Sequence, residues 1–202
     1  MAKSLIEKKN EIIEIAKQLF LKEGIEKVLI SDVAKKSNVG EATIYRYFQK
    51  KENLIVLAAV SLENELIDKY FKIKKESNGL ESIKSFYNIF LEVFKNHIEY
   101  YKFLLEFDLY LLNNDNLELD NYENGIEKFK EYYLKFIKLG IEDKSIKKDL
   151  DYELFFNSSC HSLLALSKHL SIDKALIKQD LNLNKIKEIE CLISSFINYI
   201  KN

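Results

Sequence analysis

No proline occurs anywhere in the 202 residues of the chain. Proline interrupts helices because it lacks a backbone N–H and its ring clashes with the preceding turn. The chain is also rich in Leu, Lys and Glu, which have good helix propensity. Its hydrophobic residues recur at three- and four-residue spacings, as on one face of an amphipathic helix. The sequence therefore predicts an all-α protein.

The overall composition is that of a soluble globular protein, with 47% hydrophobic and 31% charged residues. No apolar run approaches the roughly 18 residues of a membrane-spanning helix, and the first ten residues lack the apolar stretch of a signal peptide. The two cysteines, Cys160 and Cys191, have neither disulfide-framework nor metal-motif spacing. We expect a cytoplasmic protein with two core thiols, no cofactor and no membrane partner.

Five glycines are predicted to divide the chain, because glycine readily forms helix ends and tight turns. They are Gly24, Gly40, Gly79, Gly125 and Gly140. The apolar spacing predicts four helices near the N-terminus: Asn10–Glu23, a short helix from the N-cap Ser31 to Asn38, Glu41–Phe48, and a longer one from about Lys51 toward Tyr70.

The second and third of these helices are joined by a three-residue turn, as in a helix-turn-helix. Ala34 is small enough for the helices to cross closely, and Asn38 can adopt the left-handed conformation at the turn. Apolar bulk falls where the inter-helix core needs it, at Val33, Val39, Ile44 and Tyr47. An ordinary helical hairpin would show the same pattern, so the spacing alone leaves both interpretations open.

Charge is distributed unevenly along the chain. Residues 1–54 contain 11 Lys and Arg against 8 Asp and Glu, a net charge of +3, whereas the remaining 148 residues have a net charge of −4. A local basic excess is typical of a phosphate-facing surface. A solvated surface would also account for it.

The segment Leu29–Phe48, LISDVAKKSNVGEATIYRYF, is followed by QKKENL. This run closely resembles the N-terminal domain of the TetR family of transcriptional regulators, and the resemblance extends over about residues 5–65. It implies a TetR-type helix-turn-helix DNA-binding domain over residues 5–65, with its motif at about 29–48. The family is homodimeric and has a divergent C-terminal domain, which implies an effector-binding and dimerisation domain over residues 66–202.

Carried over to this chain, the resemblance implies that Glu41–Phe48 enters the major groove, with Ile44 and Phe48 turned inward. Hydroxyl and guanidinium groups can donate to phosphate oxygens, and Arg46 could alternatively bond to a guanine edge. Lys51 corresponds to the family's phosphate-binding lysine, at a helix N-terminus. The candidate DNA-binding residues are Ser31, Glu41, Ala42, Thr43, Tyr45, Arg46, Tyr47 and Lys51.

Glu41 and Ala42 depart from the family pattern, in which lysine and glycine are frequent at these positions. A carboxylate suits the start of a helix but is repelled by DNA phosphates. Glu41 could accept from a cytosine amino group, or cap the helix and face away. Ala42 could contact a thymine methyl.

The remaining chain predicts five or more helices: one marked by Ile83 to His97, then Tyr100–Leu112, Ile126–Leu139, Asp151–Leu170 and Lys185–Lys201. Its aromatic residues could line a cavity for a small hydrophobic effector, although aromatics at helical spacing are more often plain core. The candidate ligand-binding residues are Phe90, Phe94, Tyr101, Phe107, Tyr110, Phe129, Tyr133 and His161.

Neither a metal site nor a catalytic centre is predicted. His97, His161 and His169 lack partner spacing for either, and neighbours on a helix such as Cys160 and His161 point about 100° apart. No catalytic triad or glycine-rich phosphate loop is visible in the sequence.

The family pairs its last two large helices across a two-fold axis, which here implies a homodimer through about residues 151–170 and 185–201. The first contains small residues that allow close approach: Ser158, Ser159, Ser162 and Ala165. The second has a broad apolar face, which a fully buried helix of a monomer would also have.

We therefore expect a repressor that binds a palindromic double-stranded DNA operator as a homodimer, with recognition helices spaced about 34–36 Å apart. Binding of the effector is expected to release this repressor from the operator. Two alternatives remain open. The C-terminal half could bind no effector, or the chain could be an enzyme or ligand carrier with an incidental helix-turn-helix.

Overall fold

The structure, a computed structural model, describes residues 4–70, 76–114, 119–172 and 184–202. Over those ranges the chain forms nine helices, which confirms the predicted all-α class. They are α1 (Leu5–Glu23), α2 (Ile30–Lys36), α3 (Glu41–Phe48), α4 (Lys51–Tyr70), α5 (Gly79–Asn96), α6 (Ile98–Leu112), α7 (Asp120–Glu142), α8 (Tyr152–Ser171) and α9 (Lys185–Ile200). None of the helices in these ranges has the length and apolarity to cross a membrane.

The helices fall into two compact units. The first comprises Met1–Asp68 and Phe103–Gly125, and the second comprises Lys69–Lys102 and Ile126–Asn202. The first unit therefore contains α1 to α3, most of α4, the last two-thirds of α6 and the first turns of α7. The domain boundary expected after residue 65 stays a prediction.

In the first unit, α1 begins at Leu5, five residues before the predicted start. Ser4 and Glu7 form a capping box: the Ser4 hydroxyl accepts from the Glu7 N–H at 3.2 Å, and the Glu7 carboxylate accepts from the Ser4 N–H at 2.7 Å. These two bonds satisfy backbone donors that the helix leaves unpaired.

An ion cluster around a buried lysine joins α1 to α4 in this unit. The Lys17 ammonium lies 2.6 Å from the Glu14 carboxylate and 2.8 Å from that of Glu65, although Lys17 is only 6% exposed. The Ser61 hydroxyl also donates to Glu14. Burial alone would lower the pKa of Lys17, but the two carboxylates outweigh it and raise that pKa. The cluster therefore holds a charged lysine between the helices.

In the second unit, α5, α8 and α9 pack against one another. The hydroxyls of Tyr87 and Tyr133 are hydrogen-bonded at 3.2 Å, and Tyr87 also bonds to Ser159 at 2.7 Å. Burial raises the pKa of both tyrosines, so their hydroxyls stay protonated. This unit's core thus contains polar groups that are satisfied internally.

Two of the five glycines belong to α7. Gly125 lies inside this helix, so its predicted place at a helix edge was wrong, whereas Gly140 lies near the end of α7, two residues before Glu142. A Cβ on Gly79, at the start of α5, would lie 2.2 Å from the Gly140 Cα, and a Cβ on Gly140 would meet the Ile146 side chain at 2.3 Å. Glycine is thus required in α7 by neighbouring atoms, whereas Gly24, Gly40 and Gly79 do mark helix ends, as predicted.

Candidate nucleic-acid interface

Helices α2 and α3 pack through a small apolar core, as the sequence predicted. Asn38 has the left-handed conformation at the turn, with φ 52°. Ala34 is 3% exposed, and its carbonyl accepts from the Val39 N–H at 3.0 Å. Ile44 and Phe48 of α3 are 1% and 2% exposed, so both point inward as expected. These contacts fix the orientation of α3.

The opposite face of α3 is open to solvent. Glu41, Ala42, Tyr45 and Arg46 are exposed, Tyr45 by 49% of its surface. The other two candidates on this helix, Thr43 and Tyr47, are half-buried. Tyr47 therefore belongs partly to the inter-helix packing and partly to the outer surface, in keeping with both roles that the sequence suggested for it.

Arg46 and Tyr47 lie against each other on this surface. The Arg46 guanidinium carbon lies 5.1 Å from the centre of the Tyr47 ring, a cation–π geometry. Glu41 is the first residue of α3, after the N-cap Gly40, where the helix dipole favours a carboxylate. The exposed face thus combines hydroxyl, guanidinium and carboxylate groups.

Lys51 begins α4, as predicted, but it has a partner that the sequence did not indicate. Its ammonium donates to the Ile25 carbonyl at 2.7 Å. Burial lowers the pKa of Lys51, and the charges of Glu52, Glu26 and Asp32 oppose that shift. An ammonium has three donors, so a phosphate can accept from another N–H of the same group.

The predicted N-cap role of Ser31 is wrong. α2 begins at Ile30 with Leu29 as its N-cap, which places Ser31 inside the first turn. The Asp32 carboxylate instead accepts from the Leu29 N–H at 2.8 Å, the bond that the third residue of a helix makes to its N-cap in a capping box. Ser31 is exposed and remains a candidate for contact with the DNA backbone.

Asn53 has a structural role at this surface that the sequence did not indicate. Its side-chain amide donates to the Phe48 carbonyl at 3.0 Å, so the first turn of α4 holds the last turn of α3. The intervening Gln49 has a left-handed backbone, with φ 65°. The signal was an amide residue two positions after Lys51, in the first turn of a helix that follows a tight turn.

The candidate ligand-binding residues divide between the two units. In the second unit, Phe94, Tyr101 and Tyr133 are buried, and Phe90 and Phe129 are half-buried. The Tyr101 hydroxyl donates to the Phe90 carbonyl at 2.9 Å. His161 is exposed on α8, apart from these buried rings.

Two further candidates, Phe107 and Tyr110, lie in the first unit. Phe107 is fully buried and stacks on Phe103. Tyr110 is half-buried and hydrogen-bonds with Glu52. Among the described residues, no group of His, Cys, Asp and Glu could hold a metal ion.

Helix α8 exposes a stripe of small residues. Ser158, Ser162 and Ala165 are all exposed, at helical spacing, whereas Ser159 points into the core. Leu154, on the same helix, is 63% exposed, and Tyr199 of α9 is 53% exposed. Three of the four small residues predicted for close approach therefore lie on an accessible face. Cys191 of α9 is exposed, so only Cys160 is the core thiol that was expected.

Residues 12–58 match the model of a family described as bacterial regulatory proteins, tetR family. A curated relative, the HTH-type transcriptional regulator SAB2452 of Staphylococcus aureus (strain bovine RF122 / ET3-1), is 26% identical over 182 residues, which cover 86% of this chain and 90% of the relative.

Two solved structures share the fold. A TetR transcription regulator from Haloarcula marismortui ATCC 43049 has a TM-score of 0.78 at 14% identity, over 98% of this chain and 100% of that chain. The transcriptional regulator FadR from Bacillus subtilis, in complex with stearoyl-CoA, has a TM-score of 0.69 at 19% identity, over 95% of this chain and 98% of that chain.

Proposed function

Because the chain belongs to the TetR family of bacterial transcriptional regulators, we propose that it is a ligand-responsive repressor that binds a palindromic operator as a homodimer. The observation that carries the DNA-binding part is the orientation of α3. Ile44 and Phe48 anchor one face, and Tyr45 and Arg46 are exposed on the other. A helix held in this way presents its outer side chains to the major groove.

The chemistry of the exposed face fits a division between backbone and base contacts. Tyr45, Tyr47 and Lys51 donate to phosphate oxygens, because hydroxyl and ammonium groups suit that acceptor. Thr43, Ala42 and Arg46 contact base edges, and Ser31 contacts the DNA backbone beside them. The stack on Tyr47 restrains the Arg46 guanidinium and reduces the entropy lost when it binds a guanine.

Glu41 reads a cytosine amino group. Its exposure at the first turn of α3 supports this role, because an exposed carboxylate is accessible to a base edge. A carboxylate near DNA phosphates is repelled unless it accepts a hydrogen bond from the DNA. Glu41→Gln is therefore expected to change the preferred base at one position of each half-site more than it changes affinity for unselected DNA.

Dimerisation places α8 and α9 of two copies together. The small exposed residues Ser158, Ser162 and Ala165 allow the helices to approach closely, and exposed Leu154 and Tyr199 supply apolar surface. Ala165→Glu would introduce a charge into this contact. Light scattering is expected to give a dimer for the unaltered chain and for Lys128→Glu on α7, and a monomer for Ala165→Glu; a dimeric Ala165→Glu chain would contradict this interface.

The effector is a small hydrophobic compound that binds in the second unit, where the rings of Phe90, Phe94, Tyr101, Phe129 and Tyr133 lie. The complex of FadR with stearoyl-CoA makes acyl-CoA compounds the first probes. A specific ligand raises the unfolding temperature and releases DNA only if it prefers the non-binding arrangement. If no hydrophobic compound changes either property, the chain is a DNA binder without an effector of this class.

The experiment that tests the proposal is selection of duplexes from a random-sequence pool by the full-length protein. The proposal predicts enrichment of an inverted repeat whose half-sites lie about one helical turn apart, or a multiple of it. Enrichment of a single asymmetric half-site would contradict the dimer, and recovery of no preferred sequence would contradict operator recognition.

A further inference from the structure

Two hydrogen bonds from distant parts of the first unit hold the backbone of Ile25. Its N–H donates to the Glu106 carboxylate of α6 at 2.5 Å, and its carbonyl accepts from the Lys51 ammonium of α4 at 2.7 Å. The Ile25 side chain is itself 1% exposed. The two bonds therefore fix both peptide groups that flank the Ile25 Cα.

From this arrangement we propose that Glu106 is a positioning residue for DNA binding: by holding the Ile25 backbone, it fixes the carbonyl that orients the Lys51 ammonium toward a DNA phosphate. The inference rests on the proposed function, in which Lys51 binds phosphate. Glu106 itself carries a negative charge and does not contact the DNA. Its effect on affinity passes through Ile25 and Lys51.

Gly24 makes room for the Glu106 carboxylate. Its φ of 93° lies in the region that favours glycine, and a Cβ at this position would lie 3.0 Å from Glu106 Oε1. Any larger residue would meet both backbone strain and the carboxylate. The conformation of the link between α1 and α2 is thus matched to a side chain 82 positions later in the chain.

On its other side, the Glu106 side chain borders open space. A cavity of about 270 Å³ borders it, lined also by Tyr110, Leu109 and residues 23–27. Since open space lies beside the carboxylate, the charge-assisted bond to the Ile25 N–H is the interaction that specifies its position.

A second side chain of α6 contacts the start of α4. Tyr110 lies one turn after Glu106, on the same helix face, and hydrogen-bonds with Glu52, the residue next to Lys51. Burial and the charge of Glu52 raise the pKa of Tyr110 to about 12, so its hydroxyl remains a donor at neutral pH. α6 therefore contacts both Ile25, whose carbonyl accepts from Lys51, and Glu52, which follows Lys51 in α4.

Without a fixed Ile25 carbonyl, the ammonium has competing acceptors. The carboxylates of Glu52, Glu26 and Asp32 all act electrostatically on Lys51. A lysine that turns toward them loses the direction required for the phosphate contact, and its charge is partly compensated before the DNA arrives.

The test is a double-mutant cycle on the full-length protein, with Glu106→Ala, Lys51→Ala and the double variant. The probe is a duplex that the unaltered protein selects from a random-sequence pool. Each lost phosphate contact makes the plot of log affinity against log salt shallower by about 0.9, so Glu106→Ala is expected to lower the slope of a dimer by up to about 1.8. We expect affinity to fall about tenfold, a loss typical of removing such contacts, and no further in the Lys51→Ala background.

Glu106→Gln keeps an oxygen that accepts from the Ile25 N–H, so it is expected to restore most of the affinity and the slope. Glu131→Gln, an exposed substitution on α7, is the charge control and is expected to leave both unchanged. Circular dichroism checks that each variant is folded at the assay temperature.

The inference is overturned if Glu106→Ala leaves the salt slope unchanged, or if its loss adds fully to that of Lys51→Ala, because Glu106 would then act by another route. Failure of the proposed function gives a different result: the unaltered protein would select no duplex at all.

Discussion

Gly79→Ala tests the closest backbone approach in the second unit. A Cβ at Gly79 would lie 2.1 Å from the Gly140 nitrogen and 2.8 Å from the Phe136 carbonyl oxygen, whereas ordinary contact begins at 3.4 Å. The backbones of α5 and α7 would have to separate by about 1.3 Å at this point, since none of these atoms is a flexible side chain. That movement also strains the bond from the Gly79 N–H to Asp143, which measures 2.7 Å.

Overpacking of this kind costs about 1–3 kcal/mol, and the backbone clash places Gly79→Ala toward the upper end. For a chain of this size, the expected decrease in unfolding temperature is roughly 4–12 °C. Gly40→Ala is the matched control, because a Cβ there meets nothing within 4 Å. Alanine reduces the conformational freedom of the unfolded chain, which is stabilising, but it is a weaker N-cap than glycine. Because the two effects oppose each other, we expect the free energy of unfolding to change by less than about 1 kcal/mol.

Urea and thermal unfolding of both variants, at equal protein concentration, provide the measurement. The reasoning is refuted if Gly79→Ala is as stable as Gly40→Ala. A crystal structure of the Gly79→Ala variant in which α5 and α7 have not separated would refute it directly.

Two further predictions concern titratable groups. Burial would raise the pKa of Glu14, but hydrogen bonds from Lys17 and Ser61 and the charge of Lys17 outweigh it and lower that pKa below 4.5; Glu14 therefore contributes stability above pH 4.5 that is lost as the pH falls through its lowered pKa. The difference in unfolding temperature between the unaltered chain and Glu14→Gln should shrink over that range, and a constant difference would contradict the cluster. Burial raises the pKa of the Cys160 thiol to about 12, so a Cys191→Ser chain should react with a thiol reagent at pH 7 only after unfolding; rapid labelling of the native chain would show that Cys160 is accessible.

Local patterns in the sequence predicted much of the DNA-binding region. The limits of α3, the start of α4 and the inward position of Ile44 follow from apolar spacing and turn residues within about 25 positions of one another, whereas the inward position of Phe48 was implied by the family resemblance. The earlier start of α1 could also be predicted from the sequence, because Ser4 and Glu7 have the spacing of a capping box.

Other features depend on contacts between distant parts of the chain, which no local pattern encodes. Gly125 looks like a helix end but lies within α7, and glycine is required at Gly140 because Ile146 and Gly79 approach it closely. The bond between Ile25 and Glu106 joins residues 81 positions apart. Ser31 was misassigned for a local reason: Asp32, next to it, satisfies the same helix end.

The central claim is that the exposed face of α3 and the start of α4 bind DNA. Its most direct test is the affinity of full-length Tyr47→Ala/Lys51→Ala for the selected duplex. Four contacts per dimer at about 0.5–1.5 kcal/mol each predict a loss of at least about 30-fold, with a shallower salt dependence. Tyr132→Ala/Lys135→Ala removes the same side chains from an exposed part of α7 and should bind like the unaltered protein. Equal affinity of the two double variants would contradict the account.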